Sequence, residues 1–178
     1  MEKEMIFRIL GIRNPSDRDC EIAGYMVEYM PDYAIDSIVR EAMYLAQIGH
    51  ESGRLKYLEE IASGKAYEGR TDLGNTQKGD GVRFKGRGLI QVTGRNNYRE
   101  CGEWIGEDLI AHPEMLCKPK YAVLSSLWYW DTRGLNAYAD RYDLIGCTKV
   151  INGGLNGYED RKGLYVRAID LLSQEDDL

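Results

Sequence analysis

Residue patterns that bind metals are missing from this sequence. Only two histidines occur, His50 and His112, and neither has a spaced partner residue of the kind that completes a metal site. The four cysteines form no CxxC pair and no zinc-finger spacing: Cys20, Cys101, Cys117 and Cys147. We therefore expect no metal and no other cofactor.

Long apolar runs and a basic face are absent as well. No stretch approaches the roughly 18 apolar residues of a membrane span, and residues 1–7 lack the apolar region of a secretory signal. A formal net charge of -6 disfavours the basic surface that nucleic acids require. We expect no nucleic-acid partner, no stable membrane association, and synthesis in a reducing cytoplasm with free thiols.

The 178 residues are enough to bury a core without disulfides or metal. No internal repeat and no linker separates a second module, so the sequence predicts one catalytic domain over residues 1–178. Tyrosine is abundant, with 13 copies against two phenylalanines. Its apolar ring and polar tip suit both half-buried packing and contact with sugar rings, so the excess alone does not choose between them.

Apolar periodicity predicts a mainly α fold with a small β or loop lobe. A first helix should span residues 16–29 with Ser16 as its N-cap. A second should carry an apolar stripe over residues 35–46, and further helices are predicted near 96–106, 121–131 and 159–173. We expect the helix near 121–131 to be the central buried one. Glycine-rich residues 63–88 read as a long loop with a short hairpin near 78–81.

Two carboxylates lie at the end of the second predicted helix and shortly after it. Glu51 stands at its end, nearly opposite the apolar stripe, and Glu60 follows nine residues later. Glycosidic hydrolysis uses one carboxyl group to protonate the departing oxygen and a second to handle water or the sugar carbon. Glu59 and Glu68 rival Glu60 for the second role, and an ordinary solvated glutamate is the simpler interpretation of Glu51.

A glycine-rich block at residues 86–93 is the second feature with functional potential. Glycines allow the backbone to approach a ligand closely, while Gln91, Thr93 and Asn97 supply groups for sugar hydroxyls or a water. The phosphate-loop and dinucleotide patterns are not present, so the other interpretation is a structural turn. A later amide-rich loop, residues 150–157 with Asn152, could close the far side of a groove.

Taken in order, three motifs resemble the family 19 glycoside hydrolases, the chitinase-like group with a lysozyme-type helical fold. They are Ala46-Gln47-Ile48-Gly49-His50-Glu51-Ser52-Gly53, the stretch from Gly79-Asp80-Gly81 through Gly86-Arg87-Gly88-Leu89-Ile90-Gln91-Val92-Thr93-Gly94-Arg95 to Asn97-Tyr98, and Ile151-Asn152-Gly153-Gly154. The resemblance is strongest to the bacteriophage and prophage endolysins of that group. It covers roughly residues 33–165.

The resemblance implies a metal-free, inverting enzyme with a substrate groove between two lobes. Glu51 matches the general acid, Glu60 the second acid of the endolysin branch, with Glu68 left open, and Thr93 the residue that helps hold the attacking water. The substrate-contacting or site-organising candidates are Gln91, Asn97, Tyr98, Asn152, Arg87 and His50. For His50 we expect a bond to a backbone carbonyl that positions the helix end, with a direct catalytic part as the alternative.

The function implied is that of an endolysin, which cuts the β-1,4 bonds of peptidoglycan glycan strands. It would act as a monomer, accumulate in the host cytoplasm and reach the wall through holin-type lesions. A chitinase acting on N-acetylglucosamine polymers is the nearest alternative. A zinc amidase would need more histidines, and a non-catalytic sugar-binding protein would not need to keep both Glu51 and Glu60.

Overall fold

The computed structural model describes the backbone of residues 1–176 and the side chains of residues 1–174. Over this range it contains nine α-helices: α1 Lys3–Leu10, α2 Asp17–Tyr29, α3 Ile38–Glu51, α4 Asp80–Arg83, α5 Arg95–Ile105, α6 Pro119–Thr132, α7 Asn136–Asp140, α8 Leu144–Asn152 and α9 Tyr158–Asp176. Short 3-10 turns lie at Met30–Tyr33, Lys65–Tyr67, Thr71–Leu73 and Pro113–Cys117. The expectation of a mainly α fold is confirmed.

Helix α2 begins where the sequence predicts it. The Ser16 hydroxyl accepts from the Asp19 amide at 3.2 Å, and the Asp19 carboxylate accepts from the Ser16 amide at 2.9 Å. This reciprocal capping box satisfies two backbone donors that no intrahelical carbonyl can reach. Helix α1 has no such signal in the sequence and was not predicted, although five of its eight residues are buried.

Helices α3 and α6 form the centre of the core. Every residue of α3 from Ala42 to Gly49 is buried, so this helix is enclosed on all sides rather than along one stripe. Its main partner is α9. Helix α6 is the buried central helix that the sequence predicts. The Tyr44 hydroxyl lies 2.6 Å from the Ser126 hydroxyl, and its ring meets Trp130 edge to face.

Residues 52–94 form a small lobe made of turns, helix α4 and two isolated β-bridges, Glu59 with Arg87 and Arg87 with Val92. The predicted hairpin at 78–81 is wrong, because Asp80 opens α4 instead. The Glu68 carboxylate accepts from the Gly79 and Gly81 amides at 2.7 and 2.8 Å. These bonds satisfy backbone donors that a hairpin would have paired across its strands.

Membrane-spanning helices and clustered metal ligands are both absent from the described residues. No helix in this part of the chain is long and apolar enough to cross a membrane. No group of three or more His, Cys, Asp or Glu side chains in residues 1–174 is arranged to hold a metal ion. The four cysteines carry free thiols.

Candidate active site

Glu51 lies at the end of α3, and its carboxylate is held from inside the protein. One oxygen of Glu51 accepts a hydrogen bond from the Arg161 guanidinium, which belongs to the first turns of α9. Arg161 is fully buried, whereas 19% of the Glu51 side chain is exposed. The carboxylate therefore has one face on a buried cation and the other toward solvent.

Arg161 is fixed by further polar contacts. It donates to the Gln47 side-chain oxygen at 2.6 Å and to the Asn156 carbonyl at 3.3 Å. Gln47 is itself fully buried and donates to the Thr148 hydroxyl of α8 at 3.0 Å. Three helices are thereby connected by one polar network, and each buried side-chain nitrogen or oxygen in it has a hydrogen-bond partner.

His50 takes part in a second ion cluster beside Glu51. Its Nδ1 lies 2.6 Å from the Asp160 carboxylate, which also accepts two bonds from Arg54 at 2.8 and 2.6 Å. Hydrogen bonding from Arg54, with a further contribution from His50, holds the pKa of Asp160 well below its usual range. The expected backbone-carbonyl partner of His50 is wrong, since a carboxylate on α9 takes that place.

Glu60 lies in the small lobe and is oriented by two donors. The Tyr67 hydroxyl donates to Oε1 at 2.9 Å and the Gly86 amide donates to Oε2 at 3.0 Å. The Glu60 amide in turn donates to the Gly86 carbonyl at 2.8 Å. Because the glycine contacts both the backbone and the side chain of Glu60, the predicted glycine-rich block positions the second carboxylate.

Gln91 and Thr93 gather around the same glycine. A Cβ at Gly86 would lie 2.9 Å from the Gln91 side-chain oxygen, 3.2 Å from the Glu60 carboxylate and 3.3 Å from the Thr93 hydroxyl. Gln91 has a φ of 57°, which turns the chain sharply at this point. Asn97 donates to the Thr93 carbonyl at 2.8 Å and so supports the turn from α5.

The two candidate carboxylates open onto one groove of about 330 Å³. Its lining consists of Glu51, Tyr57, Glu59, Glu60, Ile61, Ala62 and Gln91. Tyr57 and Ile61 expose 41% and 86% of their surface, which gives the groove apolar walls beside the carboxylates. This is the arrangement that a sugar ring requires, with a flat apolar face and polar edges.

The rivals of Glu60 have other partners. The Glu68 carboxylate is occupied with the backbone amides of Gly79 and Gly81, which lower its pKa, and Glu68 does not line the groove. Glu59 does line the groove, but it forms ion pairs with Arg87 at 3.0 Å and Lys85 at 3.4 Å. The structure therefore places Glu60, and not Glu68, in the groove with Glu51.

Two predicted substrate contacts need correction. Tyr98 is fully buried, and its hydroxyl donates to the Lys85 carbonyl at 2.6 Å. Arg87 is 8% exposed and donates to the Glu59 carboxylate, the Arg83 carbonyl and the Tyr98 hydroxyl. Both side chains are enclosed by the small lobe, where they stabilise the glycine-rich block and cannot reach a sugar.

Asn152 ends α8 and shapes the later loop. Its side-chain oxygen accepts from the Asn156 amide at 3.3 Å, and the Asn156 carbonyl accepts from Arg161. A Cβ at Gly157 would lie 2.1 Å from the His50 ring. The loop is therefore packed against His50, beside Glu51, and it is not part of the groove lining, so its predicted role in closing the far side of the groove stays a prediction.

Sequence reasoning did not find Arg161, Arg54 or Tyr67 as parts of this site. Each bonds a candidate carboxylate or its support. The available signal was the pair Asp160-Arg161 at the start of a predicted helix. Nothing in the local pattern shows that this pair faces residues about 110 positions earlier.

A family comparison agrees with this geometry. The model of the glycoside hydrolase family 19 domain, described as chitinase class I, matches residues 41–147, which include Glu51, Glu60 and the glycine-rich block. The chain belongs to glycoside hydrolase family 19. It is accordingly a glycosidase with the helical fold of that family.

Individual family 19 relatives show the same likeness. A "glycosyl hydrolase family 19 domain-containing protein" of Haemophilus influenzae is 33% identical over 159 residues, which cover 71% of this chain and 77% of the relative. An endochitinase of Arabidopsis thaliana is 37% identical over 115 residues, or 64% of this chain. The chain spans only 38% of that plant relative's length.

Solved structures of the family support the fold alone. Chitinase C from Streptomyces griseus superposes with a TM-score of 0.75 at 21% identity, covering 97% of this chain and 76% of that one. The class IV chitinase from Zea mays gives a TM-score of 0.75 at 19% identity, with 97% and 92% covered.

Proposed function

We propose that this family 19 glycosidase hydrolyses the β-1,4 bonds of peptidoglycan glycan strands by an inverting acid/base mechanism. The observation that carries the proposal is that Glu51 and Glu60 reach one groove from two different elements, the end of α3 and the small lobe. Two carboxyl groups at one cleft are the minimum that glycosidic hydrolysis requires.

In the proposed mechanism, protonated Glu51 donates its proton to the glycosidic oxygen as the bond to the sugar carbon breaks. Ionised Glu60 takes a proton from a water that attacks this carbon from the opposite face. Inversion requires the two carboxyl groups to lie about 6.5–9.5 Å apart, which leaves room for the water.

The surrounding residues have separate parts in this proposal. The negative charge that remains on Glu51 after proton transfer faces Arg161, which stabilises it. Tyr67 and Gly86 fix the direction of the Glu60 carboxylate. The Thr93 hydroxyl donates to the Gln91 carbonyl at 2.9 Å and leaves its lone pairs free to hold the attacking water.

Peptidoglycan as the substrate is supported by the endolysin-like motif, in which the second acid follows the first by nine residues. The bacterial relative also matches over more of its length than the plant relatives do. Lysis of a bacterial host, with release from the host cytoplasm through holin-type lesions and action as a monomer, belongs to the same proposal.

Chitin hydrolysis is the second candidate. It is favoured by the names of the relatives, since the plant proteins are called endochitinases and the solved structures chitinases. Chitin and peptidoglycan share the β-1,4-linked N-acetylhexosamine backbone, so the same two carboxylates could cut either polymer.

One experiment distinguishes these functions. Wild type and Glu51→Gln are added to permeabilised Gram-negative cells and, separately, to chitin hexamers, and the soluble fragments are identified by mass. We expect wild type to release fragments with new reducing ends from the cells, and Glu51→Gln to release at least about 100-fold fewer. Release from chitin alone would favour the second candidate, and equal release by both proteins would refute the acid role of Glu51.

A further inference from the structure

Arg133 differs from the arginines that pair with carboxylates in or beside the site. Arg161, Arg54 and Arg87 pair with Glu51, Asp160 and Glu59, respectively. Within residues 1–174, Arg133 has no carboxylate within 4.0 Å. One of its N–H groups donates to the Thr132 hydroxyl at 2.9 Å. A guanidinium has five N–H donors, so most of them remain for a ligand.

The guanidinium is nevertheless held in place. It lies 3.9 Å from the centre of the Tyr129 ring and 5.1 Å from the Trp128 ring. Stacking on aromatic faces orients an arginine and leaves its N–H edge outward. Trp128 is 3% exposed and belongs to the core, and Tyr129 is partly buried against it. This is a preorganised cation rather than a mobile surface side chain.

Tyr129 connects Arg133 with the Glu51 side of the site. Its hydroxyl donates to the Val150 carbonyl at 3.0 Å, two residues before Asn152 on α8. The same helix carries Thr148, whose contact with Gln47 leads to Arg161 and Glu51. Burial raises the pKa of Tyr129; Arg133 opposes this shift and the charge of Glu51 adds to it. Tyr129 thus lies within electrostatic range of both groups.

We propose that Arg133 is a specificity-determining residue that binds a carboxylate of the muramyl side chain when a peptidoglycan strand lies across Glu51. The inference rests on the proposed function. Chitin has no carboxylate, so an unpaired guanidinium stacked on Tyr129, which itself contacts α8, has no charged group to bind in a neutral polymer. Peptidoglycan offers a lactyl carboxylate on stripped strands and stem-peptide carboxylates on intact ones, and planar N–H pairs suit either.

The test compares three forms of one polymer: peptide-free strands with free lactyl carboxylates, the same strands with these groups converted to neutral amides, and intact peptide-bearing strands. Initial rates over a range of concentrations are measured for wild type, Arg133→Gln and Arg133→Lys. Arg141→Gln is the matched control, because Arg141 also stacks on a tyrosine, Tyr138 at 5.2 Å, and its loss changes the net charge equally.

We expect Arg133→Gln to raise KM about tenfold on at least one carboxylate-bearing form and to leave the neutral form unchanged. The KM of Arg133→Lys should lie between those of wild type and Arg133→Gln, and the KM of Arg141→Gln should match that of wild type. A higher KM of Arg133→Gln on peptide-free strands identifies the lactyl carboxylate as the ligand. A higher KM on intact strands alone identifies a carboxylate of the stem peptide. An equal loss on charged and neutral strands would show a purely structural role and overturn the inference, as would no loss at all.

The experiment distinguishes failure of the proposed function from failure of the Arg133 inference. If wild type cuts none of the three strands but cuts chitin hexamers, peptidoglycan is not the substrate and the Arg133 inference falls with it. If wild type cuts the strands while Arg133→Gln is unaffected, only the inference is refuted. Melting curves of the variants confirm that each is folded.

Discussion

Arg161 binds the carboxylate of Glu51 from the buried side of the protein, across 110 positions of sequence. The contact joins the end of α3 to the start of α9, which is also the most extensive helix pair of the fold. The residue proposed as the acid is therefore positioned by the same packing that stabilises the core. The second carboxylate, Glu60, depends instead on the turns of the small lobe.

The structure predicts that Glu60, and not Glu68, acts as the second catalytic carboxylate. Glu60→Gln should lower the rate on the preferred polymer at least about 100-fold, because the amide cannot accept a proton from water. Glu68→Gln should keep the rate within a few-fold, since Glu68 holds the Gly79 and Gly81 amides outside the groove. The measurement is the initial rate of reducing-end release. The opposite order of activities would assign the second acid to Glu68.

Replacing Arg161 should affect stability as well as activity. Arg161→Ala leaves Glu51 and the buried Gln47 oxygen without their donor, and we expect the free energy of unfolding to fall by roughly 3–5 kcal/mol. Urea unfolding measures this change. Lys162→Ala, an exposed change one residue away, should stay within about 0.5 kcal/mol of wild type. Equal stability of all three proteins would show that the buried network contributes nothing.

Gly86 is predicted to matter for catalysis because it lacks a side chain. A Cβ would lie 2.9–3.3 Å from Gln91, Glu60 and Thr93, so Gly86→Ala should displace these groups and lower kcat by about tenfold or more. Gly163→Ala is the control, since nothing lies within 4 Å of a Cβ there. In the middle of α9 this change should stabilise the protein by about 0.5–1 kcal/mol. A fully active Gly86→Ala enzyme would refute the close packing.

The ion pair of Asp80 with Arg95 should make the free energy of unfolding depend on pH. Its carboxylate is 1% exposed and bonds Arg95 at 2.6 and 2.9 Å, and this bonding lowers its pKa. A lowered folded-state pKa gives stability that is present above the unfolded value near 3.9 and is lost as pH falls through the folded value.

The corresponding variant is Asp80→Asn, measured by urea unfolding at pH 7 and at pH 3. The loss of stability between these two pH values should be smaller in the variant than in wild type, because the variant has no carboxylate to protonate. Asp131→Asn removes an exposed carboxylate and serves as the control. An identical pH dependence in Asp80→Asn and wild type would contradict the assignment.

Much of the fold could be predicted because its signals are local. The Ser16 cap, the apolar periodicity of α3 and the apolar composition of α6 all lie within single elements. The hairpin near Gly79 was mispredicted since its local glycines suit a turn, while the deciding contact comes from Glu68, 11 residues earlier. Short α1 has neither cap nor length to identify it.

In the candidate site too, local motifs predicted some residues, whereas burial and long-range contacts decided the others. Glu51, Glu60 and Gln91 share the groove, as the motif order predicts. Arg87 and Tyr98 belong to the same motif, yet their roles depend on burial, which a motif does not report. Arg161 could not be assigned because its importance arises from a contact with Glu51, and no local period encodes that distance.

The contact between Glu51 on α3 and Arg161 on α9 has a consequence for biosynthesis. Glu51 and Glu60 are synthesised about 100 residues before Arg161. A nascent chain can therefore contain both glutamates while Arg161, which orients the Glu51 carboxylate, is still missing. We expect the Glu51 carboxylate to reach its final orientation only after Arg161 has left the ribosome. The order of synthesis therefore delays the completed glycosidase site until the start of α9 has been made.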